Sequence, residues 1–215
     1  MTGIRAWFDA LPAALRWTLL AVAAALLLVL VGSGVWSWLG RREAASQQAL
    51  GSVMSAAQRA VGSGQPAELD AAAKAVSEFL SSHSGTRAGQ QAWYLLGQVE
   101  FRRRQWDAAG AAFGEAARRD GGGSIGALSR LGQGYAYEAK GDAARALEVY
   151  QQALGRLGPK DFLYGDLLLA KARAQGQTKD STGAIATYKQ YLKDLPSADR
   201  VQDVRIWLAL LGSAG

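Results

Sequence analysis

The spacing of hydrophobic and polar positions divides the chain into two regimes. Between Arg16 and Arg41 lie twenty-four residues without a charge, Trp17 to Gly40, whose centre reads Leu19-Leu-Ala-Val-Ala-Ala-Ala-Leu-Leu-Leu-Val-Leu-Val31. A helix needs about 20 such residues to cross the hydrocarbon core of a bilayer. Trp17 stands at one end and Trp36 and Trp38 at the other, where amphipathic indoles favour the headgroup interfaces. The pattern predicts a transmembrane helix over 17–40, preceded by a short N-terminal segment, 1–16. A cleaved signal peptide is the competing reading, but the stretch exceeds the usual ~7–15 apolar residues and no Ala-x-Ala site precedes a plausible processed start. An uncleaved signal-anchor fits better. A buried core helix fits worst, because such helices are rarely charge-free for so long.

In the remaining residues, 41–215, apolar positions recur at helical spacing, and they do so in repeated units. One reads Ala92-Trp93-Tyr94-Leu95-Leu96-Gly97, then Trp106-Asp107-Ala108-Ala109, then Phe113 and Ala116. A second copy gives Gly134, Tyr137, Gly141-Asp142, Ala146, Tyr150 and Ala153, closed by Pro159; a third gives Ala172, Ala184, Tyr188 and Tyr191, closed by Pro196. Ala109, Ala146 and Ala184 are 37 and 38 residues apart. Each unit predicts a helical hairpin in which small residues let two helices approach while larger ones fill the seam. A step of 37 back from Ala109 reaches Ala72, followed by Val76 and Phe79. Pro66 to Ser81 therefore reads as the second helix of a degenerate unit whose first helix is about Ala44 to Val61. At the far end Val201, Val204, Leu208 and Leu211 form a helical stripe with Asp199, Arg200 and Asp203 outside it, the pattern of a terminal capping helix. The expected units are 44–87, 90–123, 125–158 and 162–196, with the cap at 198–212. A generic amphipathic hairpin would explain one unit, but three in near-register favour a repeat.

Trp93-x2-Leu96-Gly97 followed by Ala109-x3-Phe113-x2-Ala116 resembles the tetratricopeptide signature, whose ideal period is about 34 residues. Glu100 and Gly121 depart from it, standing where the signature has Tyr and near its closing Pro. The fold class that follows is all-α: an N-terminal transmembrane helix, then a tetratricopeptide-type α-solenoid of three to four hairpins with a C-terminal cap. A composition rich in Ala, Leu, Gln and Arg and poor in Pro agrees with high helix propensity throughout.

Composition also removes whole classes of chemistry. There is no cysteine and a single histidine, His83, so thiol nucleophiles, disulfides, iron–sulfur clusters and Cys/His zinc sites are excluded by inventory. The net charge of +6 is concentrated at Arg5, Arg16, Arg41 and Arg42; from Glu43 onward twenty Lys/Arg face seventeen Asp/Glu. So balanced a domain lacks the basic footprint of a nucleic-acid binder. His83 follows two serines with no carboxylate nearby in sequence and reads as an exposed turn residue. Gly121-Gly-Gly-Ser-Ile-Gly126 lacks the Gly-Lys-Ser/Thr ending of a phosphate loop and reads as a turn. Arg102-Arg103-Arg104 and Arg118-Arg119 could bind acidic partners or lipid headgroups, yet Glu100, Asp107, Glu115 and Asp120 are interleaved with them, which favours a solvated, charge-laced face. No catalytic residue, metal or cofactor is expected, and the chain does not read as an enzyme.

In such arrays the first helices of successive hairpins line a concave surface that holds a partner segment. The spacing around Trp93 and Gly97 projects Tyr94, Gln98, Phe101 and Arg102 onto it, then Leu131, Tyr135 and Glu138, then Arg173 and Gln177. Mixed aromatics, amides and charges suit a polypeptide groove.

The layout of a short N-terminus, one transmembrane helix and three to four tetratricopeptide-like units with a cap resembles the bacterial inner-membrane YfgM-like family. That resemblance implies a single-pass inner-membrane protein with its N-terminus in the cytoplasm and its repeats in the periplasm, associated with the secretion channel or periplasmic chaperones. The flanking charges alone are nearly balanced across the span and do not choose an orientation. The expected role is a membrane-anchored protein–protein interaction scaffold in envelope protein export or periplasmic folding. The alternative is a structural accessory subunit of a larger inner-membrane complex in division, secretion or respiration. Saturating substitution separates them: Tyr94, Gln98 and Tyr135 matter in the first case, Leu19 to Val31 in the second.

Overall fold

A computed structural model describes residues 12–120 and 123–213; the sequence features at Arg5, Gly121 and Gly122 lie outside the described residues. Among the described residues there are nine helices and no strand: α1 (Ala13–Ser63), α2 (Pro66–His83), α3 (Arg87–Arg102), α4 (Trp106–Arg119), α5 (Ser124–Lys140), α6 (Ala143–Leu154), α7 (Tyr164–Gln177), α8 (Ser181–Asp194) and α9 (Val201–Ser213). Contacts divide the chain into two compact units, Met1–Ala45 and Ser46–Gly215.

The first unit contains the N-terminal part of α1. Its large apolar side chains point outward, Leu28 being 72% exposed and Trp36 81%. From Trp17 onward the helix has the length and hydropathy of a membrane span. A helix satisfies its own backbone where water is absent, and Thr18 and Ser33 turn their hydroxyls back to the carbonyls of Leu15 and Leu30, so these two donors are also paired within the helix. The sequence reading ends one element at Gly40 and begins another near Ala44, whereas the structure runs a single helix to Ser63. Gly40-Arg41-Arg42-Glu43 contains no proline, and a lone glycine costs a helix only about 1 kcal/mol relative to alanine, so nothing there stops propagation.

In the second unit the end of α1 packs with α2 and α3 through Leu50, Ala57, Ala60, Val76, Ala92 and Val99. The remaining hairpins are α3–α4, α5–α6 and α7–α8. Each hairpin turns through one residue in the left-handed region: Gly64, Arg104, Gly141 and Lys179, with φ of 67°, 60°, 88° and 63°. In the last three turns the amide that follows the left-handed residue donates back five positions, Gln105 to Glu100, Asp142 to Tyr137 and Asp180 to Gln175, at 2.8–2.9 Å. That is the Schellman closure, which occupies carbonyls a helix end leaves bare. Asp142 and Asp180 then cap the following helices, accepting from the amides of Arg145 and Gly183.

Only glycine takes the left-handed conformation without steric cost; for other residues it costs roughly 1–2 kcal/mol. Lys179→Gly should therefore raise the stability of the repeat domain by about 0.5–1 kcal/mol, the gain being reduced by glycine's greater freedom when unfolded. Thermal denaturation followed by circular dichroism reads this directly, and a lowered midpoint would contradict the turn geometry.

A second repeating device sets the hairpin seams. Sixteen residues separate a small residue on the first helix from a larger one on the second: Ala60 and Val76, Gly97 and Phe113, Gly134 and Tyr150, Ala172 and Tyr188. A Cβ at Gly97 would stand 2.5 Å from the Phe113 ring, and one at Gly134 would overlap the Tyr150 ring. Glycine is thus required at these two crossings by close approach, not by backbone conformation. In α9, Val201 and Val204 are buried, and Trp207, Leu208 and Leu211 pack on the α7–α8 core. Its outer face is not wholly polar, however: Ile206 is 57% exposed and Leu210 62%.

His83 departs from the exposed-turn reading. It is the last residue of α2, half-buried, with its ring stacked on Phe79 at 4.5 Å and 11° and its Nδ1 near the Ser82 hydroxyl and the Phe79 carbonyl. A histidine one turn after an aromatic finds a flat apolar neighbour on its own helix face.

Candidate partner-binding groove

Positions 94, 98, 101 and 102 of α3 share one face, as do 128, 131, 132 and 135 of α5, because helical neighbours recur at three, four, seven and eight residues. The structure sets these faces against each other across a cleft of about 340 Å³, in the size range of ligand pockets, about 300–1,000 Å³. Tyr94, Gln98, Phe101 and Arg102 come from α3, and Leu128, Leu131, Gly132 and Tyr135 from α5, with Phe113 of α4 and Val61 near the end of α1 also in the lining.

Phe113 supports the cleft. Its ring lies where a Cβ at either Gly97 or Gly132 would meet it, at 2.5 and 2.8 Å, so the two glycines admit one buried ring between helices of adjacent hairpins. Tyr94 leans on it with ring centroids 5.6 Å apart, and Phe101 meets Trp106 edge-on at 5.0 Å. The amide Nε2 of Gln98 donates to the Tyr94 hydroxyl at 3.2 Å. Burial raises the Tyr94 phenol above its ordinary pKa, with Gln98 opposing. At neutral pH the Tyr94 hydroxyl therefore keeps its proton, and that hydrogen remains available to a ligand, as does the Gln98 carbonyl as an acceptor.

Six of the nine residues projected from the sequence, Tyr94, Gln98, Phe101, Arg102, Leu131 and Tyr135, are brought together here. Leu131 is itself largely buried in the α5–α6 core and contributes wall more than contact. Glu138, Arg173 and Gln177 lie elsewhere. Glu138 has a side chain only 9% exposed; it accepts from Arg173 Nε and Nη2 at 2.9 and 2.7 Å and from the Tyr150 hydroxyl at 2.7 Å. This clamp ties α5, α6 and α7 together. Helix spacing puts Glu138 on the right face, but a guanidinium thirty-five residues away captures its carboxylate. The pair holds Arg173 firmly charged, Glu138 outweighing the opposing effect of burial, and burial foremost pushes the Tyr150 phenol well up. Arg173 also lies over the Tyr135 ring at 5.4 Å. Its other side borders a separate cleft of about 400 Å³ with Gln177, Tyr188, Trp207 and Leu211.

Val61, Phe113, Leu128 and Gly132 line the groove in addition to the projected residues. Leu128 and Gly132 are within reach of the sequence pattern, three back and one on from Leu131. Val61 and Phe113 are not, because their contribution depends on how neighbouring hairpins stack.

The arginine clusters are mostly neutralised locally. Arg103 meets Asp70 and Glu100 at 2.7 and 2.8 Å, and Arg118 and Arg119 both reach Glu115, whose carboxyl is held below its usual range foremost by Arg118. Lys140 meets Asp107 at 2.5 Å. Asp120 accepts from the Gln90 amide and the Gly126 backbone. Among the described residues no three histidine, aspartate or glutamate side chains gather closely enough to hold a metal ion.

No curated protein matches the chain. Residues 129–156, most of the α5–α6 hairpin, match the family model of the tetratricopeptide repeat. The match identifies the α5–α6 hairpin as a tetratricopeptide repeat, a class of module that generally binds other proteins, and the other hairpins share its turns and seams.

Proposed function

We propose that this chain is a membrane-anchored scaffold that holds a protein partner in the cleft between α3 and α5. The observation that carries the reading is the groove itself: an apolar floor with aromatic walls and only Gln98 and Arg102 as strongly polar lining groups beside the tyrosine hydroxyls. An apolar centre with sparse polar groups for orientation is what polypeptide recognition uses. The uncharged stretch Trp17 to Gly40 is the proposed span, and tethering raises the effective concentration of the groove near membrane-bound partners. By its resemblance to YfgM-like proteins, the proposed setting is the bacterial inner membrane, with the N-terminus cytoplasmic, the repeats periplasmic, and a role in protein export or folding.

Pull-down of the membrane-extracted full chain should recover secretion-channel or periplasmic chaperone components, and a reporter fused after Gly215 should signal on the periplasmic side. Recovery of unrelated cytosolic proteins together with a cytoplasmic signal would refute the setting. The accessory-subunit reading has its own support in the exposed Ile206 and Leu210 of the cap, an apolar outer face that terminal repeats ordinarily replace with polar residues. It predicts that substitutions there or within the span, not in the groove, break the association.

A further inference from the structure

Resting on the groove reading, we infer that the preferred occupant is a peptide segment carrying a large apolar side chain close to an internal Asp or Glu, the apolar group filling the cleft and the carboxylate meeting Arg102. Three nearby acids are already engaged. Glu100 is held by Arg103, Asp107 by Lys140 and Glu138 by Arg173. Arg102 is exposed and lines the groove, and among the described residues it has no hydrogen-bond or ion-pair partner. Among the described residues the charged side chain in the lining is therefore positive and sits beside an apolar floor, with Asp166 acting on Tyr135 from outside the lining. A guanidinium offers paired donors that match a carboxylate, and closing over an apolar anchor would lower the local dielectric and strengthen that pair.

The remaining polar groups complement a peptide backbone: the Tyr94 hydroxyl hydrogen can serve a carbonyl and the Gln98 carbonyl an amide. An internal acidic side chain suits the site better than a chain-terminal carboxylate. Among the described residues Arg102 is the single cation in the lining, and it sits on the last turn of α3, where a segment passing through the cleft can bring a side-chain carboxylate to it. The long Arg102 stem can follow a side chain on a passing segment.

Panning a display library of random peptides on the full chain in lipid nanodiscs tests this. Sequences enriched on the native chain should pair a large apolar residue with a nearby Asp or Glu, and replacing that acid by its amide should weaken binding about tenfold or more. Panning on Arg102→Glu should shift the enrichment to Lys and Arg. Apolar sequences enriched without an acidic bias, and equally on both chains, would overturn the inference while leaving the groove reading in place. An acidic bias that survives Arg102→Glu would also overturn it, by placing the attraction elsewhere. No enrichment on either chain would overturn both readings.

Discussion

Replacing Phe113 by alanine should lower the unfolding free energy of the repeat domain by about 3–5 kcal/mol, the cost of truncating a buried aromatic that leaves a cavity. The ring is 4% exposed and fills space that Gly97 and Gly132 open on two different hairpins. Neither glycine has a side chain that could relax into the void, so little of the cavity can collapse. The change also removes the partner of Tyr94 at the groove, and partner binding should weaken with stability. Denaturant titration of the full chain in micelles, with the slope checked for two-state behaviour, gives the number. A loss below about 1 kcal/mol, the size of an average substitution, would mean that the hairpins do not interlock through this ring.

The second large effect concerns a substitution that ordinarily helps. Glycine to alanine inside a helix gains about 0.5–1 kcal/mol, yet Gly134→Ala should destabilise the domain by about 1–3 kcal/mol, the range for overpacking a filled core. The added methyl would overlap the ring of Tyr150, which is fully buried and tied by its hydroxyl to Glu138, so the ring cannot swing away without breaking the α5–α6–α7 clamp. Gly51 supplies the control: it lies within α1, and a methyl added there would meet nothing inside 4 Å, so the same substitution should stabilise. A double change with Tyr150→Leu should recover part of the loss at Gly134. Equal signs at the two glycines would contradict the seam geometry.

These two residues also mark what the chain discloses before it folds. The period of small and aromatic positions is visible because each hairpin solves the same packing problem with the same residue types, so Gly97, Gly134 and Ala172 fall in register with Phe113, Tyr150 and Tyr188. The charge-free run after Arg16 is equally plain, since lipid tolerates so few residue types. The end of α1 is not, because Gly40 to Glu43 carries no strong stop signal and stacking decides where the helix turns. The left-handed turns at Arg104 and Lys179 are hidden for a related reason: neither residue favours that conformation, and the flanking hydrogen bonds impose it. Glu138 illustrates the limit at the groove. Periodicity assigns a face to a side chain, but whether it meets a ligand or a neighbour depends on what the next hairpin presents, here Arg173. Exposed Ile206 and Leu210 belong with it, because a capping helix is recognised by its inner stripe and its outer face is free to vary.

The groove between α3 and α5 is most directly tested by photo-crosslinking in the native membrane, with benzoylphenylalanine introduced at Gln98 in one strain and at Gln151, an exposed position on α6, in another. A discrete covalent adduct with a partner protein from Gln98 and none from Gln151 is the predicted result. Adducts from Gln151 with none from Gln98 would place the binding surface elsewhere on the repeat.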